Sequence, residues 1–231
     1  MGKRLIPMRR GRGTSLYRSP SHRHVDDVRL PAFNEGTAVI KDLIQAPGRT
    51  CPLAVLDVNG KTDYQLAVEG TKVGQTIVIG GTQVAAGNIM MLSNIPEGTL
   101  VHNVEARPGD GGKFVKTAGS SGTVVSRGDK VMVLMPSGVI KEFSPSCRAA
   151  IGVVAGGGRG DKPLAKAGKN VLTLRSRSKA PFKTKGVAMN PVDHPHGGGS
   201  HAHVGGPNCQ KRTASPGQKV GFLPPKKKVR K

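Results

Sequence analysis

The stretch PLAVLDV (52–58), NG (59–60), KTDYQLAV (61–68) decides the fold class. Two short apolar-rich runs flank an Asn-Gly step. Both residues of that step tolerate positive φ, so the arrangement is a strong hairpin signal. Working outward, TAVIKDL (37–43) precedes it and TIVI (76–79) follows. IPEG (95–98) reads as a break. Beyond it stand TLVHNV (99–104), KFVKT (113–117), TVVS (123–126), KVMVLM (130–135) and VIKEF (139–143). Pro136-Ser137-Gly138 suits a tight turn between the last two. Turn signals at this short, regular spacing predict small β barrels or sandwiches. Helical periodicity is weak, with short helical turns expected near 145–150 and 163–168.

Composition sets the partner class. The 231 residues carry 36 Lys and Arg against 14 Asp and Glu, a net charge of +22. Five Phe, two Tyr and no Trp argue against one large core, as do 33 Gly and 17 Pro. So much positive charge repels itself unless a polyanion neutralises it, and nucleic acid is the leading candidate. Apolar runs such as VMVLM (131–135) are far shorter than the roughly 18 residues of a membrane span, so no membrane partner is expected. The start, MGKRLIPMRRGRG, is basic but leads into no apolar stretch, so no secretory signal is expected. Cys51, Cys147 and Cys209 are odd in number and far apart. They form no disulfide framework, and a reducing, cytoplasmic setting is expected.

The charge is unevenly placed. Residues 1–32 carry net +6, 33–94 net −1, 95–166 net +4 and 167–231 net +13. The division predicts a basic N-terminal arm, two β bodies over 33–94 and 95–166, and an extended basic tail. Each body is near the size at which one core supplies only about 3–5 kcal/mol, so each is expected to lean on its neighbour or on a partner. The tail holds nine Gly and seven Pro in its 65 residues. Ordering it costs about 1–2 kcal/mol per residue, so it is expected to order between phosphates rather than alone.

Five blocks then carry a resemblance: GVAMNPVDHPHGGG (186–199), NIPEGTLVHNVE (94–105), RPGDGGKFVKTAG (107–119), CRAAIGV (147–153) and RGRGTSLYRSPSHRH (10–24). Together they closely resemble the universal L-two family of large-subunit ribosomal proteins. The likeness runs from the first arm to about Gly221. The short N-terminal arm and SHAHVGGPNCQKRTASPGQKVG (200–221) look more like the archaeal and eukaryotic branch. The resemblance implies a mainly β architecture, an OB-fold barrel followed by an SH3-like barrel, with extended basic arms. It also implies binding to large-subunit rRNA, support of the peptidyl-transferase region and of subunit joining, and no enzyme activity. The implied partners are that rRNA, neighbouring ribosomal proteins and the small subunit. A free homo-oligomer and a resident cofactor are not expected, though magnesium at RNA contacts is compatible with the family.

The residue types give reasons of their own. Gly197, Gly198 and Gly199 lack Cβ, which permits positive φ and close approach of RNA. Pro191 and Pro195 hold the preceding Asn190 and His194 extended. His194 and His196 then fall on one side of the strand. His194 matches the family's much-discussed histidine, and three readings compete for it. It fixes the loop against RNA; it acts as a general acid or base; or it joins His196, His201, His203 and Cys209 around zinc, for which the spacing is poor. Asp193, the one acid of the tail, could hold a histidine tautomer, take a hydrated magnesium or pair with a cation.

The candidate RNA contacts follow the charge. In the first arm they are Lys3, Arg4, Arg9, Arg10, Arg12, Tyr17, Arg18, His22, Arg23 and His24, where guanidinium planes and rings can stack on bases. In the body they are Lys113, Lys116, Arg148 and Arg159. In the tail they are Lys169, Arg175, Arg177, Lys179, Lys183, Lys185, Asn190, Lys211, Arg212 and Lys219, with the histidines and glycines above. No metal ligands are assigned. IGVVAGGGRGDK (151–162) fits neither phosphate-loop pattern, and its Arg-Gly-Asp is a common chance tripeptide. PPKKKVRK (224–231) has the form of a nuclear import signal but equally of a basic RNA-binding terminus. A histidine-tail hydrolase would need a carboxylate or metal constellation in the body, and none is legible. A free RNA chaperone shares the charge but not the 186–199 block.

Overall fold

A computed structural model describes residues 2–177 and 179–224; most of the basic string at 224–231 lies outside them. The chain divides into two compact units, one of residues 21–164 and one combining 1–20 with 165–231.

The unit 21–164 is mainly β. Its strands are β1 (Gly36–Ile44), β2 (Leu53–Val58), β3 (Lys61–Leu66), β4 (Thr76–Ile79), β5 (Ile89–Met91), β6 (Leu100–His102), β7 (Gly122–Ser126), β8 (Val131–Leu134), β9 (Ile140–Phe143) and β10 (Arg148–Ile151). They run in the order β3-β2-β1-β4-β5-β10-β6-β7-β8-β9. The hairpin read from Asn59-Gly60 is present: Val58 pairs with Lys61, and the turn residues have φ of 50° and 81°. Asp57 accepts the Gly60 N–H at 2.9 Å and closes the turn. Strands β1–β5 and β6–β9 are joined through β10, which pairs with both β5 and β6.

The two bodies share a wall. Alternate residues of a strand face opposite sides of the sheet. On β5, Ile89 enters the core of Leu56, Ile40 and Ile79, while Met90 enters that of Val101, Val124 and Val133. On β10, Ala150 faces the first core and Ala149 and Ile151 the second. All four residues of β10 are therefore buried. The two cores are thus backed by the same two strands.

A buried clamp locks this wall. Arg148 on β10 donates to Glu105 Oε1 from Nη2 at 2.8 Å and Nε at 3.2 Å. Its Nη1 donates to the carbonyls of Pro31 and Phe33 at 2.8 and 3.1 Å. Glu105 also accepts the backbone N–H groups of Arg148, Gly109 and Gly111. Both charges are thus compensated, and the 28–33 strap is tied to both bodies; its Val28 and Leu30 are buried.

Several elements differ from expectation. KFVKT forms no strand, because Val115 has φ 54°, a left-handed value that breaks an extended run. Only the isolated bridge Val104–Phe114 remains there. Near 145–150 a single turn, closed by Cys147 N–H donating to Ser144 O at 3.0 Å, gives way at Arg148 to strand β10 rather than continuing as a helix. Helix α2 (Ala167–Arg175) begins near the expected 163–168 turn but runs farther into the tail, with no buried residues.

Candidate nucleic-acid interface

The net charge lies almost wholly in one unit. Residues 21–164 hold 15 basic and 13 acidic side chains, net +2. The described residues of the other unit hold 16 basic and one acidic, net +15. Two segments from opposite ends of the chain build it. Helix α1 (Ile6–Arg10) has proline in its first turn and Arg9 and Arg10 in its last, both favoured there by φ and by the helix dipole. Lys3 N–H donates to Val192 O at 2.8 Å, and Lys3 Nζ stands 3.5 Å from Asp193 Oδ1. Asp193 thus pairs with a cation, one of the three roles open to it.

The 186–199 loop is built by its own backbone. Asp193 N–H and His194 N–H donate to Asn190 O, and Gly198 N–H donates to Met189 O at 3.0 Å. Gly198 has φ 90°, and a Cβ there would meet the Pro191 ring. A Cβ on Gly197 would run into the carbonyls of Met189 and Asn190. The glycine requirement at these two positions therefore arises inside the chain, before any RNA is considered. His194 lies against Gly186, where a Cβ would strike its ring. Its Nδ1 accepts the His196 N–H at 3.0 Å, which leaves the proton of the neutral ring on Nε2. Burial, then the neighbouring His196, push its pKa down, favouring that neutral form. The two rings meet edge to face with centroids 5.0 Å apart.

Most of the expected contacts are exposed. Lys3, Arg4, Arg9, Arg12, Arg18, His22, Arg23, His24, Lys113, Arg159, Lys169, Arg175, Arg177, Lys179, Lys183, Lys185, Asn190, Gly199, His201, His203, Lys211, Arg212 and Lys219 lie at the surface. Arg10, Tyr17, His194, His196, Gly197 and Gly198 are half-buried. Arg148 is the correction: its guanidinium is buried in the clamp with Glu105, so it serves the fold and faces no partner. Lys116 is also turned inward, donating to the carbonyls of Val28 and Gly112 at 2.8 and 3.2 Å. Burial, then the charges of Arg49 and Lys113, lower its pKa. Arg159 Nη1 reaches Thr50 O at 3.4 Å. His201, His203 and Cys209 do not join the His194 pair: among the described residues no group of three or more His, Cys, Asp or Glu is placed to hold a metal. No helix among them is long and apolar enough to cross a membrane.

Comparison with known proteins decides the family. Residues 85–217 match the family model described as Ribosomal Proteins L2, C-terminal domain. The chain belongs to the L2 family of ribosomal proteins. Its L2 relatives include the large ribosomal subunit protein uL2 of Thermoplasma acidophilum, 51% identical over 99% of this chain and 98% of the relative. The uL2 proteins of Archaeoglobus fulgidus and Picrophilus torridus are 50% and 47% identical, over 96% and 99% of this chain and 96% and 98% of theirs. The archaeal likeness of the 200–221 segment agrees with these L2 relatives. One surface residue escaped the sequence reading: Phe182, 69% exposed amid Lys179, Lys183 and Lys185. The aromatic-among-cations criterion applied to the first arm would have found it in KAPFKTK.

Proposed function

We propose that this chain is a structural, non-catalytic constituent of the large ribosomal subunit. It binds large-subunit rRNA chiefly through the unit formed by its two termini, helps to shape the peptidyl-transferase region and supports association with the small subunit. Neighbouring ribosomal proteins complete its surroundings, and hydrated magnesium at RNA contacts supplements its cations. One observation carries the reading: net +15 on the described residues of the unit that contains the 186–199 loop, against +2 on residues 21–164. Such a distribution suits a scaffold that positions phosphates. His194 fits a fixed hydrogen-bonding group. Its Nδ1 is engaged by His196 N–H, and the adjacent carboxylate is paired with Lys3. A general-base role would need a free ring nitrogen directed at a reacting proton. The test is co-sedimentation of the tagged chain in cell extract. Presence in large subunits and 70S- or 80S-type particles supports the reading; a chain found free or on unrelated RNA removes it.

A further inference from the structure

Two adjoining clefts in the terminal unit share Arg10, Ala180 and Lys183. The first, about 300 Å³, is lined by Tyr17, Phe182, Thr184 and His194 among others. Its size is at the lower end of small-ligand sites. The second adds Lys179, Leu174 and Pro181, so three of its six lining residues are cations. Arg10 links them: its Cζ stands 5.8 Å from the Tyr17 ring centroid, and its Nε is enclosed with no hydrogen-bond partner. A charged donor left unpaired is costly unless an acceptor arrives. Phe182 is 69% exposed, an expensive placement for a ring with nothing to cover it. An aromatic compartment beside a cationic one, joined by an arginine whose Nε has no hydrogen-bond partner, matches the two chemistries of a single nucleotide.

We propose that this double cleft takes one unpaired nucleotide of rRNA, its base on Tyr17 and Phe182 and its phosphate on Arg10, Lys179 and Lys183. The proposal rests on the rRNA-binding reading and adds to it a site for a base out of its helix. Base stacking on aromatic rings is tolerant of sequence, whereas a fully paired helix offers no free base face. The site therefore selects single-stranded RNA over duplex.

The test uses the full chain with large-subunit rRNA carrying 4-thiouridine, cross-linked by light and mapped by peptide mass. Adducts are expected on Tyr17 or Phe182. In parallel, Tyr17→Leu and Phe182→Leu should each weaken binding to oligouridine by about tenfold or more, with the salt slope unchanged. Tyr17→Phe, which keeps the ring, should bind as the unaltered chain does. Arg10→Gln should lower the slope by about one. Binding to a duplex of equal length should be indifferent to either Leu variant. Adducts confined to other residues, Leu variants that bind oligouridine normally, or equal losses on duplex would overturn the proposal. Salt-dependent rRNA binding by the unaltered chain would then still uphold the parent reading; loss of that binding would remove both.

Discussion

Replacing Arg148 by Met separates a fold role from an RNA role at a residue whose charge alone suggests the latter. The substitution conserves much of the side-chain volume and removes the guanidinium. Glu105, fully buried, then loses two charge-assisted bonds, and the carbonyls of Pro31 and Phe33 lose their donor. Breaking one side of a buried pair costs about 3–5 kcal/mol, since the remaining charge stays desolvated. The orphaned carbonyls add to this, though contacts in one network do not sum. Against the roughly 5–15 kcal/mol that holds an ordinary domain, the loss is a large fraction. Denaturant unfolding of the full chain, followed by a probe in the β bodies, should show the midpoint fall accordingly. Glu105→Gln with Arg148→Met should recover part of the loss, because no isolated charge remains. The slope of log K against log salt for rRNA, measured where each variant is folded, should not change. A stability change below about 1 kcal/mol with a slope reduced by about one would refute the reasoning and return Arg148 to the interface.

Other expectations follow from the same structure. His102 is buried, with Nδ1 donating to Gly152 O at 3.0 Å, and burial lowers its pKa to about 4. Its folded value lies below the unfolded one near 6.5, so its stabilising contribution is complete above pH ~6.5 and lost as pH falls toward 4. At about 1.4 kcal/mol per unit this reaches about 3 kcal/mol; His102→Gln should flatten the dependence between pH ~6.5 and ~5, read by denaturant titration. Gly198→Val, which meets both positive φ and the Pro191 ring, should hinder particle assembly more than His194→Gln, which forfeits one acceptor worth about 0.5–1.5 kcal/mol. In assembled particles His194→Gln should leave peptide-bond formation within about tenfold; a loss of ~10²-fold or more would restore acid–base catalysis. Lys3→Met should change stability by less than about 1 kcal/mol in thermal unfolding, since its exposed pair with Asp193 is weak and its backbone bond to Val192 persists.

The hairpin at Asn59-Gly60 and most strands were legible because alternation and turn chemistry are local. The shared wall was not. Strand β5 has three residues, and β10 is buried on both faces, so neither shows alternation. The left-handed Val115 hid inside KFVKT, because a β-branched residue's local preference is extended. At the candidate interface, charge and the 186–199 block pointed to two terminal segments that the structure gathers into one unit. The pairing of Lys3 with Asp193 could not be read, since it joins opposite ends of the chain. Nor could the inward turn of Arg148 and Lys116, because a cation's partners depend on tertiary contacts that no spacing reveals.

On the proposed reading the terminal unit, not the β bodies, carries the electrostatic attachment to rRNA. The most direct test compares the salt dependence of rRNA binding for two charge-matched variants of the full chain. In one, Lys179, Lys183, Lys185, Lys211 and Lys219 become Gln; in the other, Lys41, Lys61, Lys72, Lys130 and Lys141 do. Each neutralised phosphate contributes about 0.7–0.9 to the slope. The first variant should lose about 3.5 to 4.5 from the magnitude of the slope and the second about one or less. Equal losses, or a larger loss in the second, would contradict the account.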